Sequence, residues 1–292
     1  MKNALTIDVE DYFQVAALSE TIRPEDWNQH ELRVEQNTHR LLDMFDTAGV
    51  KATFFVLGWV AEAVPGLVRE ICARGHEVAS HGYSHQLVYE QTPEVFRQET
   101  VRSKAILEDQ AQRPIIGYRA ASYSITKESL WALDILAEQG FVWDSSIFPV
   151  KHDRYGIPGA ERWPHRLTTP AGHELIEFPL TTLKIGPLNL PIAGGGYFRL
   201  YPYAFSRAGL ARVNRADEQP FIFYLHPWEL DPGQPRIKAS WKSRFRHYNN
   251  LDKCEGRLKQ LLKDFEFDTV GNVLTDQGLP IQFTEPQHRR VC

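Results

Sequence analysis

A strand-like run followed by a helix-like run recurs at least four times in the first half of this 292-residue chain. Residues 4–9 read as a short strand. Residues from about 31 to 48 read as an amphipathic helix, with Leu41, Leu42, Phe45 and Ala48 at helical spacing and Gly49 as its C-cap. Residues 51–57 form an apolar strand, and a helix over about 65–74 is closed by Gly75. The next strand, 76–80, runs into His81. Thr92 and Pro93 open a helix to about residue 110, as N-cap and first helical residue. A strand over 115–119, a helix over 126–139 and a strand over 141–143 complete the series. Such alternation predicts an α/β fold: a parallel sheet with right-handed crossovers, open or closed into a barrel. Four of these five strands end on a chemistry-bearing residue (Asp8, His81, Arg119, Asp144). In such folds sites are built at the C-terminal strand ends.

From about 149 to 220 the pattern weakens into proline- and glycine-rich sequence and reads as irregular. Gly194-Gly195-Gly196 lacks the Lys-Ser/Thr of a phosphate-binding loop. A tight turn or close backbone approach is its default reading, a substrate-lining loop the alternative. Residues 220–225 form a buried strand that runs into His226. Residues 250–265 read as an amphipathic helix, 269–274 as a last element, and the tail after Gly278 as irregular. No linker divides the chain.

The net charge of −4 and the absence of a basic block argue against nucleic acid as partner. Cys72, Cys254 and Cys292 are odd in number and widely spaced, which indicates neither a zinc ribbon nor a disulfide scaffold. The N-terminus meets Asp8 before any run long enough for a signal peptide, and the longest apolar run, 54–68, is interrupted by Glu62 and Pro65. A cytoplasmic protein without a transmembrane segment is the expectation. The sequence carries no sign of oligomeric state.

His81 and His85 are four apart in Ser80-His81-Gly82-Tyr83-Ser84-His85, a spacing that would put both imidazoles on one face of a helical turn and offer two nitrogens to a metal. Two polar loop residues around a Gly82 turn are the plain alternative. Asp8 and Glu10, two apart on an extended backbone, face the same way; Asp11 joins them only if the strand has broken. One carboxylate and two histidines suit a catalytic divalent ion, with a second carboxylate as base and a separate histidine as acid. Arg119 would fix the base carboxylate, unless it forms a purely structural salt bridge. His226 is the candidate acid, unless it is a satisfied core histidine.

The chain resembles the carbohydrate esterase family 4 polysaccharide deacetylases, the NodB-homology domain. Thr6-Ile7-Asp8-Val9-Glu10-Asp11, Ser80–His85, Gly117-Tyr118-Arg119-Ala120-Ala121-Ser122, Val142-Trp143-Asp144-Ser145-Ser146 and Tyr224-Leu225-His226 are similar to that family's five motifs, in order. More narrowly, Asp8 to Phe13, Gly194-Gly195-Gly196-Tyr197-Phe198-Arg199 and the 247–250 region resemble the exosortase-associated exopolysaccharide deacetylase branch. The resemblance implies a distorted (β/α) barrel over 1–230, with a C-terminal helical extension over 231–292 packed on it. It implies Asp8 as general base, Arg119 orienting it, His226 as general acid and Asp144 supporting His226. His81, His85 and one acid would hold the metal, with Asp11 favoured over Glu10. That ion would be Zn2+ first, with Co2+, Ni2+ or Mn2+ also compatible. The Ser122 backbone N–H would hold the oxyanion, Leu225 would wall the acetyl pocket, and Tyr83 and Trp228 would contact substrate. The implied activity is removal of N-acetyl groups from an oligo- or polysaccharide. The alternatives are a metal-free amide or ureide hydrolase of the same fold and a silent carbohydrate-binding protein stacking sugars on Trp143, Tyr197 and Trp228.

Overall fold

The computed structural model describes residues 1–152 and 155–281; the expectations for Cys292 and the end of the 231–292 extension lie outside the described residues. Along β1 (Lys2–Val9), Leu5, Ile7 and Val9 pack into the main core while Ala4 joins a second cluster on the opposite face. The same alternation separates Phe54 from Phe55 on β2 (Thr53–Val56). Strands buried on both faces need apolar residues at nearly every position, which is how these segments read.

After β1 come α1 (Val34–Ala48), β2, α2 (Gly58–Ala63), α3 (Leu67–Ala73), β3 (Glu77–Ser80), α4 (Pro93–Ala111), β4 (Gly117–Tyr118), α5 (Trp131–Glu138) and β5 (Trp143–Asp144). Gly49 closes α1 in the left-handed region at φ +67°, and the Thr92 side chain accepts from Val95 N at the start of α4. Both ends follow from capping chemistry. Residues 58–63 fold as the separate helix α2.

The stretch 149–220 is far more regular than its composition suggests. It contains β6 (His165–Thr168), β7 (Glu174–Glu177), the β8–β9 hairpin (Thr182–Ile185, Leu188–Pro191), α6 (Gly195–Leu200) and α7 (Tyr203–Arg215). The chain continues through β10 (Ile222–Leu225), α8 (Trp241–Tyr248), α9 (Leu251–Asp264), β11 (Glu266–Asp268) and α10 (Val270–Asp276). The main sheet runs β10-β1-β2-β3-β4-β5-β7-β6, with β11 added at the start of β1. Every pairing in it is parallel except β6–β7. With helices packed on its outer face, this is a distorted (β/α) barrel. Among the described residues β10 and β6 do not pair, so the barrel stays open between them.

The register aligns the strand ends. Ile7 pairs with Leu225, Val9 with Val56, Val56 with Ser80, Ser80 with Tyr118, and Tyr118 with Asp144. Asp8, His81, Arg119 and His226 therefore emerge together at one end of the sheet.

Gly194 seals the open side by bridging to Tyr224 at φ +138°, and a Cβ there would lie 2.0 Å from the Tyr224 carbonyl oxygen. The tight-approach reading of the glycine run thus applies, and Gly196 also lines the cleft described below. Gly194→Ala is expected to lower unfolding free energy by about 3 kcal/mol or more, since backbone on both sides must move. Chemical denaturation checks this; a variant within about 0.5 kcal/mol of the parent contradicts the constraint.

Candidate active site

Arg119 is fully buried at the end of β4. Its Nη1 donates to Asp8 Oδ1 at 2.7 Å and to Thr6 Oγ1 at 2.8 Å. Its Nε and Nη2 donate to the Ser145 carbonyl and hydroxyl, and its plane lies 4.0 Å over the Phe55 ring. The other Asp8 oxygen faces the cleft, 3.5 Å from the Tyr123 hydroxyl and 3.9 Å from His226 Nε2.

His81, His85 and Glu10 place one ligand atom each within 4.8 Å of one another, the one such group among the described residues. The helical-turn expectation fails here: residues 81–87 form a loop, in which Gly82 at φ +76° and His85 at φ +54° bring the rings to 5.4 Å. His81 Nδ1 lies 2.8 Å from the Arg119 carbonyl oxygen. A carbonyl only accepts, so Nδ1 carries the proton and Nε2 keeps its lone pair. Burial lowers the His81 pKa to about 4, which keeps the ring neutral. Glu10 Oε2 lies 2.7 Å from His85 Nε2, yet it has no aligned hydrogen-bond partner. Two ligand atoms that close, without hydrogen-bond alignment, suit convergence on a third centre. Burial would raise the Glu10 carboxyl, but His85 and His226 hold it well below the usual carboxylate range. The neutral His81 imidazole, the His85 ring beside it and an ionised, incompletely satisfied carboxylate fit a divalent cation.

Asp11, favoured above as the ligand, is elsewhere. Its Oδ2 accepts from Arg33 N and Val34 N, and its Oδ1 from Tyr12 N. It caps the start of α1, across a 22-residue separation that no local pattern reveals. Glu10 keeps the strand alternation and faces inward with Asp8. Four further placements are corrected. Asp144 does not approach His226: it bonds the Ser146 hydroxyl and backbone N–H, and pairs with Glu177 on the neighbouring strand. Leu225 points into the helix-facing core, and Tyr224 takes the place beside the cleft. Tyr83 turns away to donate to Glu62, with Arg102 over its ring. Trp143, considered for sugar stacking, is fully buried in the interior.

Ser122 and Trp228 do line the cleft, which encloses about 440 Å³. Ser122 and Tyr123 are both left-handed, at φ +51° and +55°, a conformation that costs non-glycine residues energy. Trp228 Nε1 donates to Glu10 Oε1 at 3.1 Å. Its ring stacks between His226, at 5.2 Å, and His247, at 4.3 Å. Tyr197 and Tyr155 form an aromatic wall with their hydroxyls 3.3 Å apart.

Glu229 and Arg199 were assigned no role from sequence. Glu229 Oε1 sits 3.4 Å from His226 Nδ1 and accepts from Arg199 Nε at 3.2 Å. The spacing His226-Pro227-Trp228-Glu229 could have signalled it: Pro227 opens a 3-10 turn, which returns the i+3 side chain to the histidine. Arg199 also donates to the carbonyls of Arg246, His247 and Asn249. Burial would lower the His226 pKa, but Glu10, Glu229 and Asp8 outweigh it and raise it to about 9.

A family model of polysaccharide deacetylases matches residues 26–140, and a model of a domain of unknown function, DUF3473, matches 145–275. Among curated proteins, a peptidoglycan-N-acetylglucosamine deacetylase from Bacillus cereus is 36% identical over 70 residues, 24% of this chain and 26% of the relative. One from Listeria monocytogenes is 40% identical over 78 residues, 26% of this chain and 17% of the relative. The matched stretches thus span about a quarter or less of those two proteins. A chitooligosaccharide deacetylase from Bradyrhizobium is 30% identical over 100 residues, 34% of this chain and 43% of the relative. Among solved structures, a candidate polysaccharide deacetylase from Mycobacterium smegmatis shares the fold with a TM-score of 0.60, 20% identity, and coverage of 98% of this chain and 95% of its own. Puue allantoinase does so at 0.59 and 13% identity, with 97% and 90% covered.

Two predictions test these assignments. Asp11→Asn is expected to cost about 1–3 kcal/mol of stability through the lost α1 cap while leaving zinc binding intact, whereas Glu10→Gln weakens zinc binding by tenfold or more. Calorimetric titration with zinc and denaturant melts separate the two; the reverse pattern restores Asp11 as ligand. Burial raises both Asp144, to about 6, and Glu177 above their ordinary values. Groups with raised folded pKa values stabilise fully below their unfolded pKa, near pH 4, and lose that contribution as pH rises through the folded value. Glu177→Gln keeps an acceptor for Ile147 N, which now bonds Glu177 Oε1, and provides a donor toward Asp144. The stability of the parent relative to this variant should therefore fall by on the order of 3 kcal/mol between pH 4 and 8; a flat difference refutes a shared-proton pair. Residues 26–140, which carry His81, His85 and Arg119, are thus similar to the polysaccharide deacetylase family.

Proposed function

We propose that the protein removes N-acetyl groups from amino sugars of an exopolysaccharide or its precursor, with a divalent cation held by Glu10, His81 and His85. The observation that carries this is the joint placement of that ligand set, the Arg119-fixed Asp8 and the Glu229-backed His226 around one cleft. Deacetylase relatives over part of the chain support the reaction class, and zinc suits the nitrogen and oxygen donors. The exopolysaccharide substrate is supported by the Gly194–Arg199 run, whose arginine holds Glu229.

When bound, the cation would supply Lewis-acid polarisation of the acetyl carbonyl and favour ionisation of an attacking water. Asp8, with one oxygen pinned by Arg119 and the other facing the cleft beside the Tyr123 hydroxyl, takes the proton from the attacking water. His226, protonated because three carboxylates face it, delivers a proton at Nε2 to the departing amine nitrogen. Glu229 holds the opposite ring nitrogen and stabilises the charged imidazole. The Ser122 backbone N–H is suited to the developing oxyanion. Tyr197, partly exposed on the cleft wall, offers an aromatic ring to a pyranose.

Acetate release from N-acetylglucosamine oligomers tests this. Zinc-loaded protein is expected to release acetate and to stop when the metal is chelated. Asp8→Asn and His226→Ala lower kcat by 100-fold or more, and Glu229→Gln by about tenfold, with the alkaline limb of the pH profile shifted down. Full activity in folded Asp8→Asn would sink the mechanism. Chelator-insensitive amide hydrolysis would favour the metal-free reading.

A further inference from the structure

Residues 232–251 contain no aspartate or glutamate, yet they carry Arg236, Lys238, Lys242, Arg244 and Arg246, in a chain of net charge −4. All five cations are exposed, and none makes an ion pair among the described residues. Between them stand two exposed aromatics, Trp241 at 73% and Phe245 at 51%, four apart on α8 and so on one face of the helix. The rest of α8 is tied down: His247 is buried against Trp228, and Arg199 binds the carbonyls of its last turn. The aromatic face is thus presented on a rigid base. Phe245 and Arg246 also line the cleft mouth, beside the exposed Leu200.

Exposed Trp and Phe interleaved with unpaired Lys and Arg match the chemistry of an anionic bilayer surface: aromatic rings enter the headgroup boundary while cations meet lipid phosphates. A neutral glycan would use the aromatics but not five cations. A soluble polyanion would use the cations but leave Trp241 idle. We propose that the 236–246 segment docks this protein on an anionic lipid surface, with the cleft mouth at the interface. Resting on the deacetylase reading, this makes the substrate a glycan carried on or close to a membrane.

Sedimentation of the full chain with phosphatidylglycerol-containing vesicles tests this, against vesicles of phosphatidylcholine alone. Binding is expected to the anionic vesicles only and to weaken in 0.5 M salt. Trp241→Ala should reduce partitioning on the order of tenfold. The triple variant Lys238→Gln, Lys242→Gln, Arg244→Gln should reduce it on the order of 100-fold, about five-fold per cation. Both variants should keep the parent's acetate release from a soluble oligomer, since none of these four residues lines the cleft. No sedimentation with anionic vesicles at low salt overturns the proposal. So does binding that Trp241→Ala leaves unchanged, or equal competition by a soluble acidic polysaccharide, either of which marks a polyanion patch. Absence of acetate release with intact vesicle binding overturns the deacetylase reading and leaves the docking surface standing.

Discussion

The fully buried Arg119–Asp8 pair is the interaction around which the site is assembled. Stripping two charges of water costs several kcal/mol each, and only a nearly complete set of partners offsets it. Arg119 finds that set in four elements at once: Thr6 and Asp8 on β1, the Ser80 carbonyl at the end of β3 through its own N–H, Ser145 after β5, and the Phe55 face on β2. The pair therefore ties the strand ends to one register. It also leaves Asp8 with one oxygen committed to Arg119 and the other at the cleft, where only the Tyr123 hydroxyl donates to it, at 3.5 Å. His81 depends on the same residue, because its Nδ1 proton goes to the Arg119 carbonyl.

A second buried arginine repeats this logic on the other side of the cleft. Arg199 neutralises Glu229 and gathers three carbonyls from the end of α8 and the residues after it. The segment matching the domain of unknown function thereby supplies His226, Glu229 and Arg199, while Asp8 and Glu10 precede the deacetylase match altogether. Neither matched segment holds a complete site. The glycine run exists for the same geometry, because only residues without Cβ let the start of α6 press against Tyr224 and set Arg199 beneath Trp228.

Local periodicity made the sheet, most helices and the strand-end residues legible. What it left hidden depended on distant partners. Asp11 looks like a ligand until the start of α1, 22 residues on, claims its oxygens. Strict alternation already favoured Glu10, and it also favoured Tyr224 over Leu225, since the end of β10 turns Tyr224 toward the cleft and Leu225 into the core. Asp144 follows its motif position, yet the Ser146 hydroxyl and N–H occupy its oxygens, with Glu177 beside it across β5 and β7. The two histidines came together through left-handed residues in a loop, not through a helix, so the spacing was informative for the wrong geometric reason. In 149–220 the hairpin and both helices were obscured by glycine and proline that serve turns and close approach.

Charge balance among the buried groups of the cleft singles out one place for a cation. Asp8 is matched by Arg119 and Glu229 by Arg199, each pair at hydrogen-bond distance. Glu10 has no such fixed counter-charge: its neighbours are His85, His226 and the indole N–H of Trp228. A buried carboxylate in that position draws positive charge from whatever can supply it, either protons on the imidazoles or a divalent ion. Protonating His81 is opposed by burial and by the carbonyl that already takes its Nδ1 proton. The ion is thus the better match to the ligand set.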